Sequence, residues 1–372
     1  MPIIKLSKIM KEVVEKTTIN NQYTVLTSSK NGLVDQSIYF NKQVASKDNI
    51  GYKIIKRGQY TYRSMSDTGY FYINRLKNLD VGIVSPAYPV FELFTDLVIP
   101  EYLDLYFNSD LFQHQINSFS QGSTRLALKF NKLITLEIYV PSLEIQKKIV
   151  KKIDLIRNLK QNFEQNMNSF DDLVKSQFIE MFDESDFPIR KIEEVCSLKS
   201  GTTFDKSSEL EFGDILYCKV SDMNLEGNEK FMIRSKTYVS NEVGLKSSIP
   251  AYSTIFPKRG GAIGTNKKRL LIKDTCVDLN TMGVTPSNKI NPEYLYQYFQ
   301  NLDLGSLCDG STIPQLNNKN IGPLSIKVPP IELQNKFADF VQQIDKSKFI
   351  IHKQIKLLEE LLDKKMHEYF GD

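Results

Sequence analysis

LEIYVPSLEIQKK at residues 136–148 returns as LSIKVPPIELQNK at residues 324–336. The two stretches align without a gap at a spacing of 188 residues, from 136 to 324, and Gly-Ser-Thr precedes both, at 122–124 and 310–312. Self-similarity at a fixed spacing is typical of a duplicated structural unit. The chain is therefore predicted to fold as two similar units related by an approximate two-fold axis, which would engage a ligand twice.

The repeat extends upstream of this stretch. Pro-Glu-Tyr-Leu-x-x-Tyr-Phe occurs at residues 100–107 and again at 292–299. In each copy a proline at the helix entry, a glutamate in the first turn and helically spaced apolar residues predict a short packed helix. Residues near 20–90 and 205–285 align poorly, and their short apolar runs and glycine turns predict strands and hairpins. The pattern indicates a common scaffold with two different contact surfaces.

A long helix is predicted after each repeat stretch. Apolar residues spaced by three, four or seven form one seam on each helix, and because such a seam is not stable in water, the helices are predicted to pack as an antiparallel pair. The residues predicted for this helix-pair interface are Ile149, Ile153, Ile156, Phe163 and Phe170 in the first helix and Val341, Ile344, Ile351, Ile355, Leu358 and Leu362 in the second. A helix from Ser142 to Phe182 would be roughly 60 Å long, with a break near Asn166 to Phe170 as the alternative.

These elements predict an α+β fold class, in which two long antiparallel coiled-coil helices join and separate two sheet-containing α/β domains. The predicted divisions are a first domain at residues 1–141, a central spacer helix at 142–182, a second domain at 183–329 and a C-terminal spacer helix at 330–372. The proline at the end of Asp-Glu-Ser-Asp-Phe-Pro, residues 183–188, supports the boundary between the first long helix and the second domain.

The composition is that of a mildly basic chain of 372 residues with a formal net charge of +4 at pH 7, which permits a polyanionic partner without requiring one. The four cysteines lie in the second half without a close pair, which predicts buried free thiols. The three histidines are scattered, which argues against a metal cluster. No run approaches 18 apolar residues and the N-terminus lacks a signal-peptide core, so a cytoplasmic location is expected.

Sequence motifs of catalysis are missing from the chain. It has no Gly-x-x-x-x-Gly-Lys-[Ser/Thr] loop, and because the glycine run at 260–264 lacks the dinucleotide-binding register, a glycine-rich hairpin turn is the favoured interpretation. Val-Pro-Pro-Ile at 328–331 lacks the polar first and aromatic last residues with which amino-methyltransferases hold a flipped base. The chain is predicted to be non-catalytic, with no metal or cofactor of its own.

Basic and aromatic residues lie beside turns in both divergent segments. Lysine and arginine there suit phosphate contacts, and arginine suits bidentate reading of guanine, although ordinary surface charge is the alternative. The two Gly-Ser-Thr segments would offer donors to a phosphate or serve only as turns. The candidate DNA-binding residues are Lys56, Arg57, Tyr62, Arg63, Arg75, Ser123, Thr124, Lys258, Arg259, Lys267, Lys268, Arg269, Ser311 and Thr312.

The order of these parts resembles one known family. A divergent domain, a Pro-Glu-Tyr-Leu helix, a Gly-Ser-Thr turn, Val-Pro-x-x-Glu-x-Gln and a long helix, all present twice, are similar to the specificity subunits of type I restriction-modification systems (HsdS), most specifically over residues 329–348. The resemblance implies that each divergent domain reads one half of a split double-stranded DNA target, while the paired helices set the gap and dock two methyltransferase (M) subunits. It also implies restriction (R) subunits in the full complex, with S-adenosylmethionine, ATP and Mg bound by partner chains.

One departure from a perfect repeat concerns docking. The first copy has Pro-Ser-Leu-Glu-Ile-Gln at 141–146 where the second has Pro-Pro-Ile-Glu-Leu-Gln at 329–334, so the two docking ends are expected to be less alike than an exact two-fold would give. A coiled-coil scaffold that binds proteins through two globular ends is the alternative from another class. A self-contained methyltransferase or nuclease is a third, which the missing motifs disfavour.

Overall fold

The computed structural model describes residues 3–39, 48–119, 126–183, 186–308 and 313–371. The chain divides into two compact units. The first unit contains residues 1–164 and 353–372, and the second unit contains residues 165–352. Among the described residues, no helix combines the length and apolar character that a bilayer crossing requires.

The first unit combines short strands with short helices and parts of two long helices. Its elements are β1 Ile3–Lys5, β2 Met10–Glu12, β3 Leu26–Ser29, β4 Gly32–Asp35, α1 Gln36–Tyr39, β5 Lys53–Lys56, β6 Tyr60–Thr61, β7 Met65–Ser66, β8 Asn74–Arg75, β9 Val81–Val84, β10 Val90–Leu93, α2 Pro100–Phe107, α3 Asp110–Asn117, β11 Leu126–Ala127, α4 Phe130–Leu133, β12 Glu137–Tyr139 and the start of α5 Leu143–Phe178. The main sheet has the order β2-β10-β6-β8, and β1 pairs with β12. All of these pairs are antiparallel.

The second unit repeats this plan with one more strand in its main sheet. Its elements are a π-helical turn Ile179–Asp183, β13 Ile189–Lys191, α6 Ile192–Val195, β14 Cys196–Ser200, β15 Ile215–Cys218, β16 Phe231–Met232, β17 Tyr238–Val239, α7 Asn241–Gly244, β18 Thr254–Pro257, β19 Arg269–Leu271, β20 Cys276–Val277, β21 Thr281–Pro286, α8 Pro292–Gln300, α9 Asn318–Ile321, β22 Ser325–Lys327 and the first part of α10 Ile331–Phe370. Its main sheet, β14-β21-β18-β19-β16, contains the counterpart of the four-stranded sheet, and β13 pairs with β22 as β1 does with β12. The chain is thus a mixed helix and sheet protein built from two copies of one plan.

A repeated tyrosine attaches the Pro-Glu-Tyr-Leu helix to the last strand in each unit. In the first unit, the Tyr102 hydroxyl donates to the Tyr139 carbonyl oxygen at 2.9 Å, beside the last strand. In the second unit, the Tyr294 hydroxyl donates to the Lys327 carbonyl oxygen at the same distance. Both rings are buried, so each tyrosine contributes apolar area and also satisfies a carbonyl group at the sheet edge.

Repeated glutamines hold the start of each long helix. The fully buried Gln334 accepts from the Asn291 backbone N–H at 2.8 Å and donates to the carbonyl oxygens of Lys289 at 3.0 Å and Pro329 at 2.8 Å. Gln146 makes the same three bonds in the first unit, as acceptor from Ile99 and donor to Leu97 and Pro141. The glutamine of Val-Pro-x-x-Glu-x-Gln therefore ties the long helix to the segment that begins the Pro-Glu-Tyr-Leu helix.

The two long helices pack against each other in opposite directions within the first unit. Lys160 of α5 forms an ion pair with Glu359 of α10 at 2.7 Å. Eight residues earlier in α5, Lys152 approaches Glu368, whose carboxyl pKa is lowered by the ammonium groups of Lys365 and, more weakly, Lys152. Phe370, the last residue of α10, packs against Tyr102 with ring centroids 5.1 Å apart and the ring planes tilted by 45°.

The second unit shows the same antiparallel packing with the roles of the helices exchanged. Phe178, the last residue of α5, contacts Phe337, near the start of α10, at 5.5 Å between ring centroids. Asp171, earlier in α5, forms an ion pair with Lys348, later in α10. The continuous helix from Leu143 to Phe178 excludes the alternative of a break near Asn166 to Phe170.

The predicted seam residues differ in their burial. Those in or beside the core of the first unit are Ile149, Ile153 and Leu362, and those in or beside the core of the second are Phe170, Val341 and Ile344. Ile156 is also buried, whereas Phe163, Ile351, Ile355 and Leu358 are half-buried. The seam is therefore most completely covered at the two ends of each long helix.

One local prediction needs adjustment, and it concerns the glycine run at residues 260–264. The glycine run does connect two antiparallel strands, β18 and β19, but it forms a 3-10 helix at Gly260–Thr265 rather than a tight hairpin turn. All four cysteines are free thiols, and Cys308 is half-buried while the other three are buried.

Candidate nucleic-acid interface

One loop in each unit carries candidate DNA-binding residues, two of them in the first unit and four in the second. The first loop, residues 62–73, connects β6 to β8, and the second loop, residues 258–268, connects β18 to β19. The two loops occupy the same place in the fold. The Ser64 carbonyl oxygen accepts a backbone hydrogen bond from Leu128, and the Lys258 carbonyl oxygen accepts one from Leu316, which lies 188 residues after Leu128. Both units thus have a loop at this place, but the two loops differ in sequence and conformation.

The first loop surrounds a small polar pocket of about 230 Å³. Arg63 is exposed and lines this pocket together with Lys30, from the turn between β3 and β4. Tyr70 and Tyr72 also line it, with ring centroids 4.6 Å apart. Sequence reasoning missed Lys30, Tyr70 and Tyr72 as site residues, although aromatic residues that flank a glycine turn in a divergent segment are a usable signal.

Tyr62 lies beneath the first loop rather than on its surface. Its side chain is fully buried in the core, and its ring meets Phe91 edge to face at 6.4 Å. Burial raises the pKa of the Tyr62 hydroxyl far above its usual range. Because the ring has no exposed surface, the structure removes Tyr62 from the group of side chains that can touch DNA directly.

The other cations predicted in the first unit are engaged in ion pairs. Arg75, on β8, contacts Glu101 and Asp104 at 2.8 Å each, with only 12% of its side chain exposed. Lys56 forms an ion pair with Glu15 at 2.6 Å and Arg57 with Asp80 at 2.9 Å, both on the open surface. Arg75 therefore joins the sheet to α2, which is a structural role, whereas Lys56 and Arg57 hold weak exposed pairs.

The second loop presents Arg259 as its exposed arginine. Within the described residues, the Arg259 side chain has no hydrogen bond or ion pair, whereas Lys258 donates to the Ser200 hydroxyl at 2.8 Å. Burial, and then the neighbouring charge of Arg259, lower the pKa of Lys258. Lys267 donates to the side-chain oxygen of Asn224. These groups lie together on one loop, as the sequence predicted.

Lys268 and Arg269 point into the second unit rather than away from it. The Lys268 ammonium is buried and donates to the Asn266 side chain at 2.8 Å and the Leu302 carbonyl oxygen at 2.7 Å. Arg269 donates to the Met223 carbonyl oxygen at 2.8 Å, and its buried Nε has no partner among the described residues. Both cations satisfy backbone carbonyls of the fold, so the structure places them beneath the surface that sequence reasoning assigned to them.

We expect the buried ammonium of Lys268 to make stability depend on pH. Burial lowers its pKa from 10.5 to about 8, with the carboxylate of Asp303 opposing the shift. Between these values the unfolded chain binds more protons than the folded one, so the free energy of unfolding should rise with pH, by at most about 1.4 kcal/mol per pH unit. Denaturant titrations at pH 7.5 to 9.5 measure this slope. Lys268→Met should reduce it, and equal slopes for both proteins would contradict the assignment.

The hydroxyl residues of the two Gly-Ser-Thr segments, Ser123, Thr124, Ser311 and Thr312, lie outside the described residues. Their predicted phosphate contacts stay predictions. The described residues contain no group of three or more histidine, cysteine, aspartate or glutamate side chains arranged to hold a metal ion.

Two similar units whose loops at the same place differ in sequence and conformation define a class of duplicated protein with one variable surface in each copy. A family model described as the type I restriction modification DNA specificity domain matches residues 5–169 and again residues 184–360. The chain belongs to this family, and it is a DNA sequence-specificity subunit of a type I restriction-modification system. The match covers both units, so the duplication seen in the sequence is a duplication of the specificity domain.

Known relatives agree with this assignment. The type I restriction enzyme MjaIX specificity subunit of Methanocaldococcus jannaschii is 26% identical over an alignment of 298 residues that covers 72% of this chain and 67% of the relative. A chain from a structure of the assembly and conformational transition of the type I R-M system has a TM-score of 0.66 at 17% identity, covering 99% of this chain and 97% of that one. The type I S subunit from M. genitalium has a TM-score of 0.56 at 14% identity, covering 100% and 96%, and the HsdS subunit from Thermoanaerobacter tengcongensis has 0.50 at 17%, covering 100% and 96%. At these identities the solved structures show a shared fold.

Proposed function

We propose that each unit reads one half of a bipartite DNA target and that the long helices set the gap between the halves. The observation that carries this proposal is the contrast between the repeated and the unrepeated parts. The tyrosine and glutamine bonds that build the scaffold recur in both units, whereas the first and second loops differ in sequence and conformation. A scaffold used twice with different loops suits two different half-sites.

The lengths of α5 and α10 support the role of a spacer. The two helices have 36 and 40 residues, which correspond to about 54 and 60 Å at 1.5 Å per residue. Two domains that read one face of B-DNA need centres about 34 Å apart, one helical turn, so helices of this length suffice. We propose that the helices form an antiparallel coiled coil, with spacer segments at 142–182 and 330–372 and recognition domains at 1–141 and 183–329.

The proposed partners of the long helices are methyltransferase subunits, two for each specificity subunit. Near the start of α5, Val150 and the exposed Leu155 line an open apolar groove of about 560 Å³. The corresponding groove of the second unit has about 270 Å³ and is lined by Ala338, the counterpart of Val150, whereas the counterpart of Leu155 is the exposed polar residue Gln343. This difference supports two unlike docking ends.

The proposal assigns the chemistry to other chains. S-adenosylmethionine, ATP and Mg would be bound by the methyltransferase and restriction subunits, and this chain would contribute specificity without catalysing a step, in the cytoplasm. The scaffold alternative, in which the globular ends bind only proteins, is not favoured because both ends match a DNA specificity domain.

Mapping of methylated adenines tests the proposed function. The chain is co-expressed with the methyltransferase subunit of its own system in a host without other adenine methylation, and the genome is sequenced for modified bases. We expect one split motif with a constant gap. The methyltransferase expressed alone is the control and should give no such motif. An unsplit motif, or no motif from an assembled complex, would contradict the bipartite reading.

A further inference from the structure

The pocket of the first loop has the size of a contact site for a single base. Its volume of about 230 Å³ is below the roughly 300 Å³ at which pockets for free small molecules begin. Two cations, one acid, two tyrosines and a serine are among its lining residues: Lys30, Arg63, Asp67, Tyr70, Tyr72 and Ser66. Such a site suits the edge of a larger polyanion rather than an isolated nucleotide.

The wall of this pocket is held in place by buried polar side chains. Gln113 of α3 bonds both backbone groups of Phe71, accepting from its N–H at 3.2 Å and donating to its carbonyl oxygen at 3.1 Å. The Ser28 hydroxyl donates to the Tyr72 carbonyl oxygen at 2.8 Å, and Asn74 donates to Ser28 at 2.8 Å. A binding site whose backbone is fixed before the ligand arrives loses less conformational entropy on binding.

The two cations at the pocket are available to a ligand. Among the described residues, neither Arg63 nor Lys30 has a hydrogen bond or an ion pair through its side chain, in contrast to Arg57 and Arg75 of the same unit. Asp67 lines the same pocket, and a site dedicated to phosphate would not place a carboxylate there. A mixed lining of arginine, carboxylate and hydroxyl groups matches the donor and acceptor pattern of base edges instead.

We propose that Arg63 reads a guanine in the half-site of the first unit and that Lys30 contacts a neighbouring phosphate. Arginine forms two parallel hydrogen bonds to guanine O6 and N7 in the major groove, the commonest specific contact between proteins and DNA. This inference rests on the proposed function and adds to it the base type and the residue. The second unit has a 3-10 helix at the corresponding place, so this pocket belongs to the first unit only.

Variants of Arg63 test the proposal within the assembled methyltransferase complex. The first measurement is the methylation motif of wild type, Arg63→Ala and Arg63→Gln, followed by binding of DNA duplexes that carry each base at each motif position. We expect both variants to accept any base at one guanine position of one half-site, with the preference for guanine reduced about tenfold or more. The other half-site and the gap should stay as in wild type.

Two further variants separate base reading from other roles. Lys30→Ala should weaken binding to all duplexes alike and lower the salt dependence by about one phosphate contact. Lys11→Ala, which removes a cation of the same unit and its exposed ion pair with Glu92, is the control and should leave the motif unchanged. An unchanged motif in both Arg63 variants, or an equal loss on every sequence, overturns the guanine assignment. Neither result affects the proposed function, which fails only if wild type itself gives no split motif.

Discussion

Replacing Gln334 with leucine is expected to lower the free energy of unfolding of the second unit by about 3 kcal/mol or more, because buried groups that lose their hydrogen-bond partners cost about 1–3 kcal/mol each. The side chain is fully buried, and its removal strands the Asn291 N–H and the carbonyl oxygens of Lys289 and Pro329. Leucine has a similar volume, so lost polar contacts, rather than a cavity, would dominate. Denaturant unfolding followed by circular dichroism measures the change.

Gln343→Leu is the matched control for this variant. Gln343 lies nine residues further along the same helix with an exposed side chain, so the change should stay within about 0.5 kcal/mol. Gln146→Leu should reproduce the loss in the first unit, where the same three bonds occur at 2.8 to 3.0 Å. If Gln334→Leu and Gln343→Leu unfold at the same denaturant concentration, the glutamine does not hold the helix start.

Lengthening both long helices by four residues is expected to widen the gap of the DNA target by one or two base pairs. Four helical residues add about 6 Å, and a base pair of B-DNA occupies about 3.4 Å along the axis. The insertions belong after Asn166 in α5 and after His352 in α10, next to the points where each helix passes from one compact unit to the other. Mapping of methylated adenines in the assembled complex reports the gap directly.

Insertions elsewhere provide the controls for the spacer. Four residues placed between Glu211 and Phe212, in an exposed loop of the second unit, should leave the gap as it is in wild type. An insertion in α5 alone should impair folding and therefore assembly of the complex. Because α10 also contributes to both units, an unchanged α10 would be too short to pack along the lengthened α5. A motif with the wild-type gap from the doubly lengthened protein would exclude the helices as the spacer.

Much of the scaffold could be predicted from the sequence because repeated residues make local, repeated contacts. The helices Pro100–Phe107 and Pro292–Gln300 begin at the predicted prolines. The long helices begin within two residues of the predicted starts, at Leu143 and Ile331. Helical periodicity and prolines act over a few residues, so one sequence suffices to locate these elements.

The candidate site was less predictable because the state of a charged side chain depends on distant partners. Arg63 and Arg75 look alike in sequence, yet Arg75 is held by Glu101 and Asp104, more than 25 residues away, and Arg63 is exposed. Lys267 and Lys268 are neighbours, but only Lys268 is buried against the Leu302 carbonyl oxygen. The neighbouring residues in the sequence do not show which member of each pair is exposed and which is buried or held in an ion pair.

The sequence by itself determined that this protein is a doubled unit with two long helices, and that its two halves differ in the segments near residues 20–90 and 205–285. The residues that recur in both copies include those whose hydrogen bonds both copies need, such as Gln146 and Gln334. Only the tertiary structure decided which cations face solvent, because ion pairs and burial arise between segments that are remote in the chain. The scaffold can therefore be predicted from the sequence alone, whereas the exposure of the basic side chains can be known only from the tertiary structure.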